Sequence, residues 1–412
     1  MKIMLLLSAL TLLCMLSDTF APQPLPLKLT EPALQSQATV SPQPKLLDLA
    51  LSAADALPEQ PHIKTRSQQQ QAVVTTYLLL DQPERARRAA EHINNWRRGC
   101  ALADVAGYKA RNGSSLEQLQ QSLSAIELLA QQATQEGSGQ RWRSDRIRAK
   151  LAQVYVWLGQ DKEIARHIAG IEDAELGRVT ATQAEQLQES ELGSELKRLT
   201  EVIKSGVFDQ VRGAIGTGAR LFDRFYESEQ SRNMIRDTIT PGAPFVSRQV
   251  WIELLHDLAG SASAHGDNTQ SLEFLNEASA LASDVEWLPE HRIAMLGRMA
   301  QQRHSAGDQE GAKSLTSEAL ALFAKKREAI VDIYRSESLL PVAEALHAMG
   351  QYSAATAVYR NALLEGTRNP NGAPQVEDIV ALCCSMTLCD FEPEAAFLRE
   401  ISAAVSGLSA PW

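Results

Sequence analysis

The sequence predicts an all-α protein, a solenoid of stacked helix–turn–helix hairpins. Three observations point there. The chain is rich in Ala, Leu, Gln, Glu and Arg and has only 5% aromatic residues, a composition of good helix formers. Runs of Val, Ile, Thr and aromatics bounded by turn residues are scarce, so little or no sheet is expected. One short pattern, a small residue seven positions ahead of a glycine, recurs along the chain in a fixed register. At 412 residues the chain is also too long for one compact core, which fits a repeat array or several domains.

Taken in order, residues 1–21 have the layout of a secretory signal peptide. Met1 and Lys2 precede an apolar run from Ile3 to Leu16, and Thr19-Phe20-Ala21 offers small residues at a cleavage site. The run is 14 residues long, shorter than the ~20 that span a bilayer. An uncleaved membrane anchor is the alternative. The chain is therefore expected to be exported, to the periplasm or the medium, with no stable membrane span after cleavage. Residues 22–44 hold Pro22, Pro24, Pro26, Pro32, Pro42 and Pro44. Proline removes amide donors and favours extended backbone, so this stretch reads as a linker.

From residue 45 the pattern is helical. Gly113, Gly159, Gly266, Gly307 and Gly350 each precede a polar residue and separate two helical runs. Seven residues ahead of them stand Ala106, Ala152, Ala259, Ala300 and Ala343; eight ahead stand Val105, Leu151, Leu258, Met299 and Val342. Asp81 fits the same register with Val73 and Val74, Asp390 fits with Leu382 and Cys383, and Gly206 fits weakly with Arg198 and Leu199. An apolar residue beside a small one makes a helix face that a second helix can approach closely. Glycine then ends the helix, because it adopts a left-handed conformation at little cost. A second amphipathic helix follows, seen in Ala312, Leu315, Ala319 and Leu322 and in Ala355, Val358, Ala362 and Leu363. One such hairpin cannot bury its own faces, so neighbours must stack. Hairpin repeats are expected over 45–176 and 247–406, and 407–412 reads as a tail.

The middle, 177–246, departs from the register and reads as an irregular helical insertion or joint. An exposed helix is expected over 181–203, with Leu187, Leu192, Leu196, Leu199 and Ile203 as its apolar stripe. Pro241-Gly242-Ala243-Pro244 marks a break. Gly213, Gly216 and Gly218 follow no strand, so a helix kink is expected there rather than a phosphate cradle.

The hairpins resemble tetratricopeptide (TPR) units, which carry a Leu and a small residue in the first helix, a Gly at the turn and an A-x-x-x-Y-x-x-A-L run in the second. Leu151, Ala152, Tyr155 and Gly159 match the first half; Ala355, Tyr359, Ala362 and Leu363 match the second. The resemblance covers roughly residues 66–405. It departs in length: the turns are spaced 46 residues from Gly113 to Gly159, 41 from Gly266 to Gly307 and 43 from Gly307 to Gly350, against about 34 in the standard repeat. The array is thus TPR-like and divergent. The resemblance implies a right-handed superhelix whose first helices line a groove, at positions ten, six and three ahead of each turn glycine. Those positions are His256, Gly260 and Ser263; Gly297, Gln301 and His304; and Leu340, Glu344 and His347. His256, Gln301, His304, Glu344 and His347 are the candidate binding residues, a polar stripe suited to a peptide or protein partner. An ordinary solvated face is the plain alternative.

No catalytic motif is present: no His-Glu-x-x-His, no Gly-x-Ser-x-Gly and no Walker loop. No cofactor and no metal are expected, since there is no C-x-x-C pair and no third ligand is evident to complete a site on the histidine stripe. Cys100, Cys383, Cys384 and Cys389 are too sparse for a disulfide framework and read as small buried residues. The net charge of −10 argues against nucleic acid as a partner. Residues 81–150 are locally basic, with 12 Lys and Arg against 8 Asp and Glu. That excess is either a solvated face or a docking end for an acidic partner. Trp96, Trp142, Trp157, Trp251 and Trp287 are expected in the core or the seams. The leading expectation is a non-enzymatic, exported interaction scaffold. A helical-ring enzyme acting on glycans and a self-assembling envelope component are the alternatives.

Overall fold

In a computed structural model, residues 43–135 and 139–412 are described. The expected signal peptide, and the expected linker up to residue 42, lie outside the described residues. All described secondary structure is helical, and no strand occurs among the described residues. No helix among them is long and apolar enough to cross a membrane.

The helices divide between two compact units that do not follow chain order. One unit, 83–285, contains α3 (Pro83–Ala90), α4 (Arg97–Arg111), α5 (Leu116–Gln135), α6 (Arg141–Trp157), α7 (Asp161–Ile168), α8 (Asp173–Ala184), α9 (Glu189–Lys204), α10 (Phe208–Arg224), α11 (Glu229–Ile239), α12 (Arg248–Ala264) and α13 (Asn268–Ser283). Here α4, α6, α8, α10 and α12 pack each on the next, and α5, α7, α11 and α13 pack beside α6, α6, α10 and α12. The other unit joins residues 43–82 to 286–412. It holds α1 (Gln43–Ala56) and α2 (Glu59–Leu79) together with α14 (Pro289–Ser305), α15 (Gln309–Lys326), α16 (Asp332–Ala348), α17 (Tyr352–Thr367), α18 (Gly372–Leu388) and α19 (Ala395–Ser406). In it α14 packs on α16 and α16 on α18, the alternate helices α15, α17 and α19 flank them, and α1 and α2 both pack on α18. At the far end of the chain the tail folds back: Gly372 N–H donates to the Pro411 carbonyl at 2.7 Å, and Trp412 lies against the Gly372 backbone.

Each corner of the register has one construction. Asp81, Gly113, Gly159, Gly266, Gly307, Gly350 and Asp390 all have φ between 58° and 90°. The amide of each following residue donates back five positions, for example Asp308 to the Arg303 carbonyl at 2.8 Å and Gln351 to Leu346 at 2.9 Å. The corner residue itself donates to the carbonyl three positions back, as from Gly307 to His304 at 3.0 Å. These paired bonds satisfy carbonyls that a helix end leaves orphaned. Asp267 and Asp308 also start the next helix: their carboxylates accept from Gln270 N–H at 3.0 Å and Gly311 N–H at 2.8 Å. One residue thus closes one helix and caps another. Gly206 shares the left-handed φ, but the Val207 amide turns to Ser205 Oγ instead, which explains its weak fit.

The small residues ahead of the corners are buried, as the register requires: Ala106, Ala152, Ala259, Ala300 and Ala343, with Val74 and Cys383 in the same place. Ala300 of α14 meets Ala312 of α15 and Ala345 of α16, with Leu315 and Met349 packed around them. The closest approach is at Gly297, where an added Cβ would stand 2.6 Å from the Pro341 carbonyl carbon and from Val342 N in the backbone of α16. Among the tryptophans, Trp96 and Trp251 are buried, Trp96 meets Trp142 edge-on at 5.0 Å, and Trp142 and Trp157 pack against the α4–α8 core. All four described cysteines are free and buried.

Two expectations for the middle are corrected. The stretch 181–203 is not one helix, because α8 ends at Ala184 and α9 starts at Glu189. A reciprocal cap between Gln188 and Glu191 opens the new helix. One face of α9, Leu192, Leu196, Leu199 and Ile203, is buried. The glycine cluster lies inside the continuous helix α10 rather than at a kink. Gly218 gives room for α11: a Cβ there would stand 2.2 Å from Ile239 Cγ2.

The close approach at Gly297 sets a stability test. Gly297→Ala should destabilise the fold by roughly 1–3 kcal/mol, because backbone atoms cannot give way as a flexible side chain can. Gly213→Ala is the control. Gly213 is helical and exposed with nothing within 4 Å of an added Cβ, so alanine there should stabilise by about 0.5–1 kcal/mol. Urea unfolding of the two variants against the parent measures both signs.

Candidate functional site

The five candidate residues fall on first helices and differ in burial by position. His256 lies on α12 in the 83–285 unit, where it is buried, with Gly260 and Ser263 half-buried along the same helix. The other four lie on α14 and α16 in the second unit. Ten positions ahead of the corner, Gly297 and Leu340 are closed off by packing. Six positions ahead, Gln301 and Glu344 are buried at 4% and 2% exposure. Three positions ahead, His304 and His347 are half-buried. The stripe thus runs from helix–helix contact to solvent, and only its corner end is open.

The two open histidines have different surroundings. His304 Nδ1 is 2.8 Å from Gln309 Oε1 across the corner, an arrangement in which the ring nitrogen donates. His347 stands edge-on between Tyr352 at 5.2 Å and Phe391 at 5.3 Å. Burial holds its pKa below the usual imidazole value, against the opposing pull of a hydrogen bond to the Cys389 backbone and the nearby Asp390 charge. Its buried Nδ1 has no hydrogen-bond partner.

Behind them is a buried polar network. Ser385 Oγ of α18 donates to Glu344 Oε1 of α16 at 2.6 Å. The Tyr359 hydroxyl of α17 lies 3.1 Å from Ser385 Oγ and 3.2 Å from Cys389 Sγ. All four residues are buried. Glu344 Oε2 has no hydrogen-bond partner. Removing a carboxylate from water disfavours its charged form, and burial lifts the Glu344 pKa to about 8, against the smaller lowering effects of Ser385 and the Arg298 charge. Glu344 is therefore a neutral acid at neutral pH. The sequence register placed Glu344 on the first-helix stripe, but it gave no sign that Ser385 of α18, 41 residues away in the chain, and Cys389 just past the end of that helix join it.

The basic excess of 81–150 is largely taken up inside its own unit. Lys109 pairs with Glu84 at 2.6 Å, Arg146 with Glu175 at 2.8 Å, and Arg148 with Asp145 at 3.4 Å. Arg97, Arg111 and Arg143 stand over the rings of Trp96, Trp157 and Trp142.

The Glu344 carboxyl gives a signed pH dependence. Its folded pKa lies above its ordinary value, so its contribution to stability is full below about pH 4.5 and is lost as pH rises through about 8. Glu344→Gln keeps the shape and removes the titration. The parent should lose more stability than this variant between pH 6 and pH 9, as measured by thermal melts; parallel losses would contradict a neutral buried acid.

No family model matches the chain and no curated protein matches it.

Proposed function

We propose that the chain is an exported interaction scaffold, a divergent TPR-like array that holds a peptide or protein partner on the face formed by its first helices. In this reading residues 1–21 are a cleaved leader and the hairpins within each unit follow the right-handed superhelical path of TPR arrays. The observation that supports it most is the repeated geometry of α14 and α16: two first helices packed side by side, each ending in the same corner, with His304 and His347 half-open at the same position. Solenoid surfaces bind through shape and a few polar anchors. Partly desolvated imidazoles offer ring nitrogens for hydrogen bonding to peptide groups.

The test replaces the open residues and leaves the buried ones. Gln301 and Glu344 are core residues, so their substitution would confuse folding with binding. His304→Ala with His347→Ala should leave far-UV circular dichroism unchanged. Capture of a partner from the native envelope fraction should weaken about fivefold or more, as for residues worth 1 kcal/mol or more at an interface. Undiminished capture by the double variant would reject this face.

A further inference from the structure

In the 83–285 unit, three side chains with metal-ligating atoms converge. Glu163 and His167 are four residues apart on α7 and so share one helix face. Glu127 comes from α5. One ligand atom from each lies within 4.8 Å of the others, and His167 Nε2 is 3.5 Å from Glu127 Oε1. We propose that Glu127, Glu163 and His167 form a divalent transition-metal site, and that the Arg166 guanidinium stands in for the ion when no metal is bound.

The stand-in is explicit in the contacts of a single nitrogen. Arg166 Nη2 is 2.8 Å from Glu163 Oε2 and 3.1 Å from His167 Nε2, and it donates to Glu127 Oε1. One cationic atom therefore faces all three ligand atoms, as a coordinated ion would. Because Arg166 is a donor only, His167 Nε2 meets it with a lone pair, the form a metal requires.

The surrounding groups fit the same reading. The Tyr155 ring stacks on His167 at 5.4 Å and 13°, fixing the plane of the imidazole. The Tyr155 hydroxyl points to Glu127 Oε1 at 3.5 Å. Outer contacts of this kind orient metal ligands. Arg148, the other cation near His167, is directed away, with Nη2 2.8 Å from the Ala169 carbonyl and Nη1 3.4 Å from Asp145. The two glutamates balance a divalent charge. Arg166 is 55% exposed, so it can withdraw into water, losing only surface ion pairs, which are individually weak. Mixed carboxylate and imidazole donors suit Zn²⁺ and its first-row neighbours.

The probe is Zn²⁺ alone, titrated into the full chain against a competing chelator dye. The parent should bind one ion through these residues. Arg166→Ala should bind it about tenfold tighter, the scale on which groups around a metal change affinity. In the Arg166→Ala background, His167→Gln and Glu163→Gln should each lose about a hundredfold or more. Circular dichroism checks that each variant is folded, and the glutamine variants keep the side-chain volume close. The proposal is overturned if Arg166→Ala binds zinc no tighter than the parent, or if its binding survives both glutamine substitutions.

Discussion

Everything in both units depends on how closely one first helix can approach its neighbours. The approach is set by residues that have almost no side chain: Ala300 against Ala312 and Ala345, and Gly297 against the backbone at Pro341 and Val342. Small residues bury little area themselves, so they add little hydrophobic free energy directly. What they add is geometric. They bring the larger neighbours Met299, Val342 and Leu339 within dispersion range, and these are fully buried. The left-handed corner seven residues later is the second half of the device. It fixes where each first helix stops, and so which residue faces which across the seam. Asp81 and Asp390 hold φ of 58° without being glycine, at a cost of roughly 1–2 kcal/mol that acidic and amide side chains reduce by local hydrogen bonding.

The same packing explains why polar residues are buried at fixed positions. Six residues ahead of the Gly307 and Gly350 corners, Gln301 and Glu344 are buried in the packing rather than turned to solvent. Glu344 is tolerated because it is uncharged and Ser385 reaches it from α18. A slip of register between α16 and α18 would strand the carboxyl with no partner, and a stranded buried polar group is costly. The network with Tyr359 and Cys389 thus favours one alignment over its neighbours, where an all-apolar seam would tolerate several.

What could be read in the sequence is what depends on neighbours along the chain. The corners and the seam alanines were legible because a fixed seven-residue spacing links them within one helix. The reciprocal cap of Gln188 and Glu191, which divides 181–203 into two helices, is local too; it was hidden under an apolar stripe that starts at Leu187 in the connection and continues along α9. Gly218 of α10 was legible as unusual but not in meaning, because its reason is Ile239 on another helix, while Gly213 and Gly216 meet nothing within 4 Å of an added Cβ. The candidate stripe was partly legible. The register located Gln301, His304, Glu344 and His347 on the same helix face, but whether that face is open or covered is decided by α18 and the corner residues. Glu127, Glu163 and His167 were not legible as a group, since an i, i+4 pair on one helix gains its third member from a segment 36 residues upstream.

The placement of α1 and α2 follows from the same constraint. A stack of helix pairs has an apolar face at each end, and a natural array covers it with a cap. α18 packs on α16, α17 and α19, and without further cover Leu382, Cys383, Cys384 and Met386 of α18 would be left partly bare. The covering hairpin comes instead from the other end of the described chain. Leu46, Leu47, Ala50 and Ala54 of α1, and Val73 and Val74 of α2, are all buried, and α1 and α2 both pack on α18. Val73 and Val74 are themselves the seam pair ahead of the Asp81 corner, so the cap uses the same small-residue rule as the repeats it covers. The register thus identified α2 as a member of an array while leaving open which array, because stacking compatibility is local in the helix but its partner is chosen by which apolar face would otherwise remain in water.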